Sequence, residues 1–260
     1  MRVWKAETGV FLAVAFVAAG LLGAVQPGTG IPTEVVQLTQ FGPALGVLVV
    51  ALLWRGRIRA RLAGALPSPG GTEHERGPGL WLPLTAPLVI GLAAGGYGLS
   101  TGDPGFTDPR TLDQPFALIV AAQLVGACGE EIGWRCFLQP LLRVRFGPWT
   151  ASLLVGAVWG VWHVGVFAEA PAYAAGFLVA TMALSVVLGL GLERVRANRL
   201  LLAGGFHALV NLGMLLFMDE ESGAVAPMVL FGAAALLAAV PWGLRRPADT
   251  IGDAARRGAL

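Results

Sequence analysis

The chain has 260 residues, of which 55% are hydrophobic and 13% are charged, and its mean hydropathy is +0.69. Because soluble domains carry about 25% charged residues, the composition excludes an ordinary soluble domain and indicates a polytopic membrane protein. The net charge of +2 is too small to indicate a nucleic-acid partner. We therefore expect the chain to contact the lipid bilayer and not nucleic acid.

Eight apolar stretches approach the length of about 20 helical residues that crosses a bilayer. They predict an all-α fold, with one integral-membrane domain over 1–260 and about eight transmembrane helices. The first stretch follows Arg2 and Lys5 as in a signal peptide, but no small-residue cleavage site follows it, so we expect an uncleaved helix. The polar tail, 247–260, is expected to be flexible. The predicted helices cover residues 9–25, 37–54, 80–100, 116–139, 149–168, 172–192, 200–218 and 225–244.

The loops between these stretches alternate between basic and acidic. By the positive-inside rule, this alternation predicts that both termini are cytoplasmic. The Ala-, Arg- and Gly-rich composition favours a prokaryotic plasma membrane. The basic positions are Arg2 and Lys5, then Arg55, Arg57, Arg59 and Arg61, then Arg143 and Arg145, then Arg194, Arg196 and Arg199, and finally Arg245 and Arg246. The acidic positions are Glu34, then Asp103, Asp108 and Asp113, then Glu169, and finally Asp219, Glu220 and Glu221.

The predicted fourth helix contains three charged residues, Glu130, Glu131 and Arg135. A charge at the centre of a bilayer costs roughly 2.5–3.5 kcal/mol on insertion scales, so such charges must pair, face a polar cavity or take part in chemistry. Glu131 and Arg135 have the i, i+4 spacing that favours an ion pair on one helix face. Glu130 is rotated by about 100° from Glu131 and is left without a partner on its own helix.

Polar residues also occur inside two other apolar stretches. Trp159 and His163 are one turn apart, as are His207 and Asn211. Helix lengths place these residues and Glu130 at overlapping depths, nearer to the cytoplasmic leaflet. We therefore expect them to converge on one cavity.

Each of these residues also has a purely structural interpretation. An ion pair can fix helix packing, a histidine can bond to a carbonyl of a neighbouring helix, Trp159 can simply pack, and Asn211 can join two helices. Independent packing roles explain poorly why two of the three histidines, adjacent carboxylates and one asparagine share a depth. The combination favours a functional site.

Three motifs in this order resemble the CPBP intramembrane proteases, the CAAX-processing and bacteriocin-processing enzymes also called the Abi family. The resemblance covers about 116–218, the usual catalytic core of that family. The chain departs from it at Cys136, where many members have Gly, and at Gly165, where many have Pro. The motifs are Gly129–Arg135 (GEEIGWR, resembling EExxxR), Trp159–His163 (WGVWH, an aromatic residue before a His) and His207–Asn211 (HALVN, resembling HxxxN).

Peptide hydrolysis needs an activated water and stabilisation of a tetrahedral oxyanion. Glu130 beside His163 is suited to the first task, and His207 with Asn211, one turn apart, is suited to the second. The resemblance implies the same roles. The sequence therefore predicts an intramembrane endopeptidase that cuts a membrane-associated protein or peptide near the cytoplasmic leaflet.

The resemblance further implies that Glu131 and Arg135 support the site, and we place Trp159 with them. A prenylated CAAX tail, a leader peptide or a segment of a membrane protein would each suit such a cavity as substrate. The sequence does not choose between them, and it does not predict the oligomeric state.

A metal-dependent mechanism is the alternative chemistry. Glu130, His163 and His207 would form a set of two histidines and one carboxylate, as in many zinc hydrolases. Against zinc, the chain has no H-E-x-x-H helix, and Asn211 would be a poor ligand. We therefore favour a glutamate-dependent reaction with no cofactor.

Two other functions use the same residues. A non-proteolytic immunity or scaffold protein would need only the polar cavity, since motif and fold do not prove turnover. A transporter or proton relay also places Glu and His inside the membrane, but the chain shows no inverted repeat of the kind common in transporters.

Overall fold

The computed structural model describes residues 3–67, 81–193, 195–218 and 224–244. All regular structure in these ranges is helical, so the predicted all-α class is confirmed. Packed helix faces bury one continuous apolar core, as expected for a bundle. The helices are α1 (Val3–Val25), α2 (Gly42–Leu53), α3 (Arg55–Arg61), α4 (Leu82–Thr101), α5 (Phe116–Glu131), α6 (Gln139–Trp162), α7 (Pro171–Gly191), α8 (Arg199–Phe217) and α9 (Val225–Gly243).

Six helical stretches in the described ranges are long and apolar enough to cross a membrane. One of them, Phe116–Trp162, runs over 47 residues and holds the predicted fourth and fifth helices. Gly147 interrupts it with a left-handed φ of 77°, and Pro148 follows. Leu38–Leu53 is apolar but shorter. The number of crossings and the side of the termini therefore stay predictions, and the tail 247–260 lies outside the described residues.

The helix that carries the two glutamates changes its winding directly after them. α5 ends at Glu131, and a π-helical segment over Ile132–Leu138 joins it to α6. Such wide turns are rare and often occur at functional sites. Arg135 lies inside this segment.

The second half of α6 ends earlier than the sequence predicted. Its last residue is Trp162, and His163 is the C-cap, with a backbone ψ of 63°. A 3₁₀ turn over Val164–Ala168 follows. The predicted helix over 149–168 was therefore wrong at its C-terminal end, and His163 lies where the helix ends.

Close helix contacts depend on glycines in the motif regions. A Cβ at Gly133 would lie 3.0 Å from the ring of Phe11, and one at Gly156 would lie 2.8 Å from Cα of Met182. These distances leave no room for a side chain. The glycines thus allow α1 and α7 to approach the helices that carry the charged and aromatic motif residues.

The basic and acidic loops form two opposite ends of the bundle. At the basic end, the backbone N–H of Arg199 donates to the carbonyl of Gly64 (3.1 Å). At the acidic end, the N–H of Thr107 donates to the carbonyl of Leu216 (2.8 Å). The predicted sorting of loops holds for the described residues, while Arg194, Arg245, Arg246 and residues 219–221 lie outside them.

Candidate active site

Glu130 is buried at the end of α5 and is bonded to Trp159 of α6. The residue is 2% exposed, and its Oε2 accepts a hydrogen bond of 2.8 Å from the indole Nε1 of Trp159. Within the described part of the chain, Oε1 of Glu130 has no hydrogen-bond partner. Trp159 therefore orients one carboxylate oxygen and leaves the other available.

Glu131 joins two other motif residues. Its Oε1 lies 2.9 Å from Nδ1 of His207, and its Oε2 lies 3.5 Å from Nε of Arg135. The contact with Arg135 was predicted from the i, i+4 spacing. The bond to His207 was not predicted, because it joins α5 to α8. Glu131 thus orients the imidazole of His207 as well as contacting Arg135.

Arg135 is almost fully enclosed, with 1% of its surface exposed. Its guanidinium carbon lies 4.7 Å from the centre of the Trp159 ring, a cation–π distance. Neither Nη1 nor Nη2 has a hydrogen-bond partner. The guanidinium therefore lies beside Glu131 and the indole, and none of its three nitrogen atoms makes a hydrogen bond.

The hydrogen bond of His163 defines its tautomer. Nδ1 lies 2.8 Å from the backbone carbonyl of Trp159, and because a carbonyl only accepts, Nδ1 carries the proton. The ring packs edge-on against Trp162 and Phe177, with centroids 4.9 Å apart in both pairs. In the neutral ring, Nε2 is then a proton acceptor.

Asn211 belongs to a chain of polar side chains that the sequence analysis missed. Its Nδ2 donates to Oε1 of Gln123 (3.0 Å), and Nε2 of Gln123 donates to the carbonyl of Glu34 (3.1 Å). Gln123 is buried in α5. A sequence signal existed, because Gln123 is a polar residue in an apolar stretch, two helical turns before Glu130.

A cavity of about 420 Å³ lies toward the acidic end, and His163, His207 and Asn211 are part of its lining. Glu130 is not among its lining residues and lies behind them. The sequence analysis expected these residues to lie nearer to the basic end, whereas the lining of this cavity includes residues of the acidic loops, such as Glu34 and Glu169. The lining includes Thr33, Glu34, Gln37, Gln40, Thr107, Leu112, Gln123, His163, Glu169, Tyr173, His207 and Asn211.

A smaller apolar pocket of about 40 Å³ adjoins the same histidines. It lies between α6, α7, α8 and α9, and its walls include Phe177, Leu184, Val210 and Met214. His163, His207 and Asn211 line both spaces. The polar groups thus lie where a polar cavity meets an apolar pocket.

The zinc alternative would need three ligands that converge on one point. No group of three His, Cys, Asp or Glu side chains among them is arranged to hold a metal ion. No step of the mechanism below passes through a metal.

The helix bundle thus encloses two adjacent glutamates, and one of them bonds to His207. Residues 112–213 match the family described as type II CAAX prenyl endopeptidase Rce1-like. The matched region contains all three motifs from which the CPBP resemblance was drawn, and that resemblance is confirmed.

Curated relatives resemble more of the chain. Lysostaphin resistance protein A from Staphylococcus aureus strain MRSA252 is 24% identical over 239 residues, which cover 91% of this chain. The protein of the same name from strain NCTC 8325 / PS 47 has the same identity and coverage. The matched region is 56% of the length of these relatives, so the chain spans about half of them.

Proposed function

We propose that the chain is an intramembrane endopeptidase that hydrolyses a peptide bond of a membrane-associated protein or peptide. The single observation that carries the proposal is the buried Glu130 carboxylate, with Oε1 unpartnered among the described residues, behind a cavity lined by His163 and His207. A buried carboxylate in a membrane helix is energetically costly, so such residues are rare and usually functional. The family supports peptidase chemistry.

In the proposed first step, Glu130 and His163 activate a water molecule. Oε1 of Glu130 takes a proton from the water, and Nε2 of His163 accepts the second hydrogen bond and holds the oxygen in line for attack. The bond from Trp159 keeps the carboxylate from rotating. The proton on Glu130 then passes to the leaving amine.

In the second part of the proposal, His207 and Asn211 stabilise the oxyanion. His207 acts as an imidazolium whose charge Glu131 balances through Nδ1, so its Nε2–H is free to donate. Asn211 uses one N–H for Gln123 and has a second one to offer. Two preorganised donors at one oxygen are the usual means of stabilising such an intermediate.

The two spaces around the histidines suggest how a substrate would bind. An unwound segment would lie in the polar cavity, and a small apolar side chain beside the cut bond would enter the pocket lined by Phe177 and Val210. The cavity mouth lies among the acidic loops, which the positive-inside rule assigns to the outer face. We therefore propose cleavage from that face instead of the cytoplasmic one.

The function is tested by comparing membrane proteomes of cells that produce the wild-type chain or the Glu130→Gln variant. A substrate appears as a full-length protein that accumulates only with the variant. Its cleavage by the purified wild-type chain, and not by the variant, completes the test. Equal cleavage of that substrate by both purified chains would contradict the proposal.

The orientation of the cavity gives a separate prediction. In a background with Cys128→Ser and Cys136→Ala, Glu169→Cys at the cavity mouth should react with a membrane-impermeant maleimide on intact cells. The matched Arg59→Cys, in an exposed position of the basic end, should react only after permeabilisation. The opposite result would place the mouth on the cytoplasmic side.

Chelation gives a further prediction. Treatment of the purified protein with 1,10-phenanthroline should leave cleavage unchanged, because water is activated by Glu130 and not by a metal. Metal analysis of the wild-type and His163→Ala proteins accompanies the assay. A stoichiometric zinc that is lost on His163→Ala would contradict the glutamate mechanism.

A non-proteolytic scaffold or immunity protein is the second candidate. The names of the staphylococcal relatives favour it, because they refer to lysostaphin resistance and name no enzymatic reaction. The two candidates differ in how they respond to Glu130→Gln, which retains the shape of the side chain. A scaffold should keep its function in the cell, whereas a peptidase should lose it.

A further inference from the structure

A second cavity, of about 330 Å³, lies at the basic end of the bundle. It is separate from the cavity at the acidic end, and no residue lines both. Arg135 forms part of its wall, on the side facing the glutamates. The lining residues are Arg135, Gln139, Pro140, Arg143, Val144, Gly189, Leu192, Glu193, Arg196 and Arg199.

The wall of this cavity carries donor groups without acceptors. Arg135 is 1% exposed, and its Nη1 and Nη2 atoms have no hydrogen-bond partner. Nε of Arg199 is also enclosed without a partner, while its Nη2 donates to the carbonyl of Ala63 (2.5 Å). Enclosed guanidinium groups usually have every strong donor paired. These unpaired donors are therefore suited to bind a negatively charged hydrogen-bond acceptor.

The charge of the lining is also unbalanced. The lining contains four arginines and one carboxylate, that of Glu193. Nε of Arg143 already donates to both oxygens of this carboxylate, at 2.5 and 2.6 Å. Arg196 is exposed at the cavity. The described lining contains no second carboxylate. Arg196 and Arg199 therefore present positive charge that no carboxylate of the described lining balances, while Glu131, outside the lining, contacts Arg135.

We propose that this cavity binds a phosphate group, supplied by an anionic lipid headgroup or by free phosphate. The planar fork of an arginine matches two phosphate oxygens, and basic pockets between transmembrane helices are suited to lipid headgroups. The basic end lies at the membrane surface that the positive-inside rule assigns to the cytoplasm. The proposal does not depend on peptide cleavage.

The test uses the full-length chain purified in neutral detergent. Short-chain phosphatidylglycerol, inorganic phosphate and short-chain diacylglycerol, which lacks phosphate, are titrated separately by calorimetry. Saturable binding is expected for at least one phosphate compound and not for diacylglycerol. Arg196→Gln should weaken it about fivefold, the contribution of one arginine near a charged surface.

Two further variants make the result specific. Val144→Glu adds a negative charge to an exposed lining position that is 76% accessible, and it should also weaken binding. Arg59→Gln removes the same charge as Arg196→Gln from the same end, outside the cavity, and should leave binding unchanged.

The outcomes separate the two sources. If the lipid binds and phosphate does not displace it, the ligand is a lipid headgroup. If only inorganic phosphate binds, the ligand is the free anion. Both outcomes support the site. Binding of neither compound, or equal binding by the wild type, Arg196→Gln and Val144→Glu, overturns it.

Discussion

Replacing Glu130 with Gln is expected to lower peptide cleavage by about a thousandfold, within the roughly 10²–10⁴-fold range of general acid–base catalysis. The amide oxygen of Gln can still accept the hydrogen bond from Trp159 Nε1, which holds Oε2 at 2.8 Å in the wild type. The amide cannot take a proton from water. The loss should therefore fall on the turnover rate, measured with purified protein at saturating substrate, and not on substrate binding.

Asp113→Asn is the matched control for this variant. It makes the same chemical change at an exposed loop position on the acidic side and should cleave as fast as the wild type. Both variants should unfold at the wild-type temperature, which excludes misfolding as the cause. A Glu130→Gln protein with wild-type turnover would remove Glu130 from the mechanism.

Replacing Arg135 with Met is expected to destabilise the bundle by about 3–5 kcal/mol, the usual cost of removing one partner from a buried ion pair. Met keeps much of the side-chain length but has no charge. Glu131, which is fully buried, would then share its charge with His207 alone. Reversible unfolding in mixed micelles measures the change in free energy.

The double variant Glu131→Gln, Arg135→Met tests whether this cost arises from the pair. It removes both charges, so it should be more stable than the sum of the two single changes predicts. Arg59→Met is the exposed control and should have little effect. Strict additivity of the two single changes would show that the two residues act independently.

The sequence was most informative where a contact is local. The approach of Glu131 to Arg135 follows from four-residue spacing, and the contact is present even though Arg135 lies in a π-helical segment. The bond from Trp159 to Glu130 joins two helices, so its existence depends on how both are rotated. Sequence analysis could place Trp159 near the site but could not assign its partner.

The position of His163 shows a different difficulty. Apolar residues continue from Val164 to Ala168, so hydropathy alone gave no reason to end the helix at Trp162. The backbone leaves the α-helix at His163, whose Nδ1 bonds back to a carbonyl of the preceding turn. Hydropathy therefore placed the end of this helix too late, and it carried no information on the side toward which the cavity opens.

The π-helical segment Ile132–Leu138 also constrains how the chain can change length. Its turns hold more residues than α-helical turns, so loss of one residue there could be absorbed by winding the segment as an ordinary α-helix. Later side chains of that helix, including Gln139 and Arg143, would then keep nearly the same direction relative to Glu130, and the two cavities would stay aligned. Loss of one residue from an ordinary α-helical part of α5 or α6 would instead turn every later side chain by about 100°. Residue number is therefore under tighter constraint in these α-helical parts than between Glu131 and Gln139.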